Sequence, residues 1–114
     1  MKTGTDVVEN SRFIRSITRN EGRLRSRLFT SNELKNNPGE LDLAVMFSVK
    51  ESVAKALGTG FDSSLFWHNI EVYINEKGVK AILSGKALEL AGNSKVLISA
   101  TRDQNTSLTF ALLT

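Results

Sequence analysis

Cysteine is absent from this 114-residue chain, which excludes a disulfide framework and any thiolate metal site. Histidine occurs once, as His68, and one imidazole cannot build a zinc centre. Any metal here is therefore expected to be a hard cation held by oxygens. No apolar run approaches the roughly 20 residues that a bilayer-spanning helix needs. The polar start also lacks the apolar stretch of a secretory signal, so the expected location is the cytoplasm. Aromatic residues make up only 7% of the chain and do not interleave with its basic residues, which disfavours a base-stacking nucleic-acid surface. What is present is a globular composition, 40% hydrophobic, in a length that fits one domain over residues 1–114. A chain of this size buries a core, yet is small enough for an oligomer interface to matter to its stability.

The net charge of +3 is mild but unevenly spread. Arg12, Arg15, Arg19, Arg23, Arg25 and Arg27 crowd together with Glu21 as the only acid among them. The 3, 4, 4 spacing of Arg12, Arg15, Arg19 and Arg23 aligns them on one face of a helix, with Phe13 and Ile17 on a separate apolar face. Three readings fit such a stripe: a solvated charged face, a nucleic-acid footprint, or a docking surface for an acidic protein.

A strand over residues 3–8 is expected to lead into a helix from Ser11, as N-cap, to Asn20, with Gly22 ending or bending it. Thr30-Ser31-Asn32-Glu33 reads as a capping box, and Pro38-Gly39 breaks the segment it starts. The long helix that follows spans residues 40–57; Leu43, Ala44, Phe47, Val53, Ala54 and Leu57 cover it so widely that more than one side must be buried. Residues 70–74 and 79–83 flank a turn and read as a hairpin. Residues 85–90 suit a short helix, and residues 96–100 and 108–113 two strands around a polar turn with Asp103 and Asn105. The fold class is thus α+β, an antiparallel-rich sheet packed on a long central helix.

That helix carries the most specific pattern. Glu51 and Lys55, four residues apart, share a face. Gly58-Thr59-Gly60 then lets the backbone turn and leaves amides without side-chain cover. A carboxylate, a cation and a bare turn suit a metal-phosphate ligand; the plainer alternative is an exposed ion pair before a glycine cap.

The order and spacing of several blocks resemble the holo-acyl-carrier-protein synthase family of phosphopantetheinyl transferases. Gly4-Thr5-Asp6-Val7-Val8-Glu9 with Arg12-Phe13 is similar to its opening strand, and residues 21–24, Leu28-Phe29-Thr30 and Glu33 to the segment before its central helix. The stretch from Lys50-Glu51 through Lys55 to Gly58-Thr59-Gly60 is similar to its signature, and Trp67 with Ile70-Glu71-Val72 to the strand that follows.

The resemblance implies the 4′-phosphopantetheinyl transferase fold and a homotrimer with active sites between subunits. It implies transfer of the phosphopantetheine arm of coenzyme A to a serine of an acyl carrier protein, with Mg²⁺ between the phosphates. Asp6 and Glu51 match the metal positions, Lys55 a phosphate-neutralising catalytic position, and Gly58 a place where the nucleotide lies close to the backbone. The arginine stripe of Arg12, Arg15, Arg19 and Arg23 matches the helix that meets the carrier protein's acidic recognition helix. Trp67 is expected to be a core or interface aromatic, and His68 receives no role.

Two positions depart from the family pattern. Met46 stands where an arginine commonly precedes the helix's phenylalanine, which removes an expected phosphate contact. Ser99-Ala100-Thr101-Arg102 stands where Ser-Leu-Ser-His is common. Arg102 is a fixed cation suited to binding coenzyme phosphate, but not to proton transfer. Lys77, Lys80 and Lys95 are further candidates for phosphate. The alternative implied by these departures is a catalytically impaired relative that binds carrier protein or acts as a trimeric scaffold.

Overall fold

The computed structural model describes residues 1–19, 22–61 and 64–114. Strand β1 (Lys2–Glu9) runs directly into helix α1 (Asn10–Thr18), followed by α2 (Arg23–Leu28), α3 (Ser31–Leu34) and the long α4 (Glu40–Leu57). A 3₁₀ turn (Trp67–Asn69) then leads to β2 (Ile70–Asn75), β3 (Gly78–Leu83), α5 (Gly85–Ala91), β4 (Val96–Arg102) and β5 (Thr106–Leu113). Among the described residues the strands form an antiparallel sheet of order β1-β5-β4 and a separate β2-β3 hairpin. The expected α+β architecture is what the chain adopts.

Helix α4 has the bounds its sequence predicts, because each end carries its own stop signal. Pro38-Gly39 precedes it, and Glu40 and Asp42 place negative charge in its first turn. At the other end Gly58 takes φ 84°, a left-handed conformation that glycine adopts without steric cost. Its N–H donates to Lys55 O at 3.0 Å while Thr59 N–H donates to Ala54 O at 3.2 Å, a Schellman closure. Leu43, Ala44, Val49, Val53, Ala54 and Ala56 are buried around several sides of the helix, which makes it the axis of the core.

Strand β1 crosses α4 at close range. A Cβ on Gly4 would stand 2.0 Å from Ser52 O and 2.7 Å from Ala56 N, so no larger residue fits there. The alternation of β1 and β5 turns Gly4, Asp6 and Val8, and Ser107, Thr109, Ala111 and Leu113, toward the helix. In register, Asp6 pairs with Thr109 and Val7 with Leu108. The opposite face of the sheet leaves Val7, Leu97, Leu108 and Phe110 exposed.

The arginine stripe is the main correction to the expected layout. Helix α1 begins at Asn10 rather than Ser11 and ends at Thr18, with Arg19 already extended (φ −80°, ψ 164°). Gly22, at φ 81°, opens a separate α2 that starts with Arg23. Arg12 and Arg15 therefore share α1, whereas Arg19 lies beyond its end and Arg23 belongs to another helix. Asn20, the expected helix end, and Glu21 lie outside the described residues. The capping box is found: Glu33 N–H donates to Thr30 Oγ1 at 3.0 Å, and Thr30 N–H to Glu33 Oε1 at 2.8 Å.

Candidate active site

Positions 48, 51, 52 and 55 recur at helical spacing, so α4 presents them on the face that β1 and β5 cover. This places Asp6 of β1 against the helix. Lys55 Nζ lies 3.1 Å from Asp6 Oδ1 and also donates to Thr5 O at 2.9 Å. Ser48 Oγ donates to Asp6 Oδ2 at 3.0 Å. Lys55 is 53% exposed and Asp6 12%, so the pair sits at the rim, open to a solvent-borne ligand.

Glu51 is half buried beside them. Burial raises its carboxyl above the usual range, the charge of Asp6 raises it further, and Lys55 pulls it back down. Asp6, Glu51 and Lys55 thus form one electrostatic unit; the spacing on α4 pairs Glu51 with Lys55, and the resemblance adds Asp6. Two carboxylates in mutual repulsion and a cation free to change partners suit binding of a cation together with an anion.

Gly58 closes the same end of the helix, with its role partly revised. The amides of Gly58 and Thr59 are spent on the helix terminus, so the turn is not a nest of bare donors. What remains is open space, because a Cβ at Gly58 would meet nothing within 4 Å. A flat or charged group can approach the backbone there.

Arg102 is not brought to this cluster within one chain. It lies 3.6 Å from Asp42 Oδ1, at the first turn of α4. Asp42 and Lys55 are separated by roughly 20 Å along the helix at about 1.5 Å per residue. Met46, where a phosphate-binding arginine is expected by resemblance, is a buried core side chain. Lys77, Lys80 and Lys95 are exposed. His68 hydrogen-bonds the Ser26 carbonyl through Nε2 at 2.9 Å.

A groove of about 650 Å³ opens beside the end of β1, lined in part by Arg12, Arg27, Phe13, Leu24, Phe47 and Trp67. Its aromatic lining is a stack of rings, Phe13 to Phe47 at 4.8 Å and Phe47 to Trp67 at 5.3 Å between centroids, and Phe61, outside the groove, continues the stack 3.7 Å from Trp67. Trp67 is therefore a packing aromatic, as expected. Arg27 joins Arg12 at the rim of this apolar groove, although only Arg12 belongs to the expected stripe.

Two arrangements escaped the sequence reading. Ser48, Ser52 and Thr109 form a buried hydroxyl cluster beneath Asp6. The available signal is a pair of small hydroxyl residues, Ser48 and Ser52, one turn apart on the same helix face as Glu51 and Lys55. Lys50, next to Glu51 in sequence, points the other way and is sealed in the core against Glu33 at 3.0 Å.

The match to the protein-family model described as the 4′-phosphopantetheinyl transferase superfamily covers residues 2–110. A holo-(acyl-carrier-protein) synthase of Geotalea daltonii is 35% identical over 119 residues, covering 97% of this chain and 95% of the relative. One from Chlamydia pneumoniae is 39% identical over 100 residues, covering 84% and 82%. The crystal structure of the holo-(acyl-carrier-protein) synthase from Neisseria meningitidis superimposes with a TM-score of 0.86 at 29% identity, over 99% of this chain and 97% of that one.

Proposed function

The chain belongs to the 4′-phosphopantetheinyl transferase superfamily, and from that premise we propose that Asp6, Glu51 and Lys55 carry Mg²⁺-dependent transfer from coenzyme A to an acyl carrier protein. The 4′-phosphopantetheine group goes to a carrier serine. As the serine hydroxyl yields its proton to a base, its oxygen attacks the β-phosphate, a new O–P bond forms, and the pyrophosphate bond breaks with its electron pair leaving on adenosine 3′,5′-bisphosphate.

The observation that carries this reading is the convergence of Asp6, Glu51 and Lys55 at the open rim beside Gly58. No group of three or more His, Cys, Asp or Glu that could hold a metal occurs among the described residues. Two carboxylates nonetheless fit Mg²⁺, which commonly takes one or two carboxylates and completes its shell with phosphate and water oxygens. The mutual repulsion of Asp6 and Glu51 is what a cation there would relieve. When bound, Mg²⁺ would neutralise charge on the two phosphates. Lys55, released from Asp6, has the reach and exposure to bind a phosphate oxygen and hold it for in-line attack.

The carrier protein is read as docking on α1 and α2. Arg12, Arg15, Arg19 and Arg23 supply the positive field for an acidic helix, even though they do not form one stripe. The groove between Arg12 and Arg27 offers that helix an apolar seat. The exposed sheet face of Val7, Leu97, Leu108 and Phe110 supports the homotrimer, because such a patch favours burial against another copy. In that assembly Arg102, remote from its own chain's cluster, would serve a coenzyme phosphate at a neighbour's site. A cytoplasmic location belongs to the same proposal; among the described residues no helix is long and apolar enough to cross a membrane.

The test is transfer from coenzyme A to an apo acyl carrier protein in Mg²⁺, followed by the mass gain of the carrier. Steady-state rates against carrier concentration at two salt levels, for wild type and the Arg12→Glu, Arg15→Glu double mutant, then test docking. About tenfold weaker carrier capture with unchanged coenzyme A affinity is expected from charge reversal. Superimposed curves would remove the docking assignment. Absence of transfer with retained carrier binding would favour the non-catalytic relative.

A further inference from the structure

Asp6 is gripped from two sides of different character. On the rim, the half-exposed Lys55 donates to Oδ1; below, Ser48 donates to Oδ2 from a fully buried position. Ser48 is itself backed by two further buried hydroxyls. Thr109 Oγ1 lies 2.8 Å from Ser48 Oγ, and Ser52 Oγ lies 2.6 Å from Thr109 Oγ1.

The direction of these bonds follows from proton counting. Each hydroxyl owns one proton, and an ionised carboxylate can only accept. The Ser48 proton is therefore committed to Asp6, so Ser48 Oγ accepts in its contact with Thr109. Thr109, its proton now committed to Ser48, accepts from Ser52. The alternative acceptors are farther away: Ser48 O is 3.0 Å from Thr109 Oγ1, and Thr109 O is 3.2 Å from Ser52 Oγ. One ordered chain, Ser52 to Thr109 to Ser48 to Asp6, uses every hydroxyl proton once. Its bonds polarise one another in the same sense, which strengthens the last bond onto the carboxylate.

We propose that Ser48, oriented by Thr109 and Ser52, is a positioning residue that holds Asp6 with Oδ1 facing the rim, and so sets how tightly the site binds a divalent cation. The inference rests on reading Asp6 as a metal ligand. Lys55 cannot supply this grip throughout the reaction, because the same ammonium is needed at the coenzyme phosphates. Ser48 has no other task and no solvent to compete with it. One helix turn and one strand register fix its geometry: Ser48 and Ser52 lie four apart on α4, and Thr109 stands opposite Asp6 across β1 and β5. Supporting groups of this kind typically alter metal affinity by about 10–100-fold when removed.

The experiment measures Mn²⁺ binding by titration calorimetry, in the presence of saturating coenzyme A, for wild type, Asp6→Ala, Ser48→Ala, Thr109→Val and Thr109→Ser. Circular dichroism confirms folding; alanine is a favourable helix residue at position 48. Ser48→Ala should weaken Mn²⁺ binding by about 10–100-fold, with turnover recovering as metal is raised. Thr109→Val, isosteric but without the hydroxyl, should weaken it by about 3–10-fold. Thr109→Ser, which keeps the hydroxyl and loses the methyl, should stay within about twofold of wild type if bonding rather than packing matters. If Asp6→Ala abolishes binding while Ser48→Ala matches wild type, the positioning role is overturned and the metal reading stands. Equal losses in Thr109→Val and Thr109→Ser would overturn the hydroxyl chain. Undiminished Mn²⁺ binding by Asp6→Ala would overturn both readings.

Discussion

Lys50 and Lys55 lie five residues apart on one helix, and each meets a carboxylate at nearly the same distance, 3.0 Å to Glu33 and 3.1 Å to Asp6. Their surroundings are opposite. The side chains of Lys50 and Glu33 are wholly buried, while Lys55 is half exposed. Lys50 also donates to the carbonyls of Trp67 and Ile70, and Glu33 also accepts from the amides of Thr30 and Val72. One sealed ion pair thereby bolts α3, the 3₁₀ turn and β2 to α4. Burial drives the Lys50 ammonium below its ordinary pKa, and Glu33 works against that fall. Distance alone does not distinguish a structural pair from a functional one; solvent and the number of committed partners do. Lys50 has no freedom to serve a ligand, whereas Lys55 can exchange a carboxylate for a phosphate at little cost.

The comparison is broken most severely at the carboxylates. Asp6→Ala or Glu51→Ala should reduce transfer on the order of 10⁴-fold, about 5 kcal/mol of transition-state stabilisation, while leaving the melting temperature close to wild type. Near-normal turnover of either variant at saturating coenzyme A and Mg²⁺ would show that the rim pair is not the reaction centre. On the buried side, Lys50→Ala should cost about 3–5 kcal/mol of stability, because it strands Glu33 without its charge partner and frees two buried carbonyls. For a domain of this size that lowers Tm by at least about 12 °C. A melting curve unchanged by Lys50→Ala would erase the distinction between the two lysines.

Lys55→Ala sharpens it from the other direction. A rim ion pair contributes about 0–1 kcal/mol to stability, so Tm should hardly move. The loss should instead appear in kinetics, about 10–100-fold in kcat/KM for coenzyme A with KM and kcat both affected, since the ammonium meets phosphate charge in ground and transition states alike. A variant that melts early but turns over normally would reverse the assignment of the two pairs.

The same contrast explains what the sequence discloses. The bounds of α4 are legible because Pro38-Gly39 and Gly58 are local signals whose meaning does not depend on tertiary contacts. Asp6, Glu51 and Lys55 are legible from spacing and family resemblance. The buried fate of Lys50 is not, since a lysine beside Glu51 looks like another surface charge until Glu33 and β2 are placed against it. Ser48, Ser52 and Thr109 are hidden for a similar reason: a hydroxyl signals nothing until strand register puts it under a carboxylate. The arginine stripe misleads because exposed charges at helical spacing carry no information on whether the backbone between them stays helical: α1 already ends at Thr18, ahead of Gly22, and Arg23 opens α2. Arg102 is legible as a cation but not in its position, which follows from the antiparallel path of β4 to the far end of α4.

The smallest effect concerns the repulsion between the two carboxylates themselves. Burial first, then the charge of Asp6, holds the Glu51 carboxyl above its ordinary value of 4.5, with Lys55 opposing. The folded chain therefore retains this proton to higher pH than the unfolded chain does. Between the two pKa values the folded state binds more protons, so this group's contribution to stability falls as pH rises, and the cost is fully present above the folded value. Glu51→Gln keeps the shape and removes the charge. In metal-free buffer its Tm should exceed that of wild type at pH 8, and the gap should close as pH falls through the carboxylate range toward 4.5. Mg²⁺ with coenzyme A should raise the wild-type Tm and leave the variant nearly unchanged, because only the wild type retains the charge that the cation relieves. Thermal melts across this pH range, with and without metal, make the comparison directly. Superimposed Tm curves for the two proteins would mean that Glu51 does not feel Asp6, and the two carboxylates would then no longer count as one site.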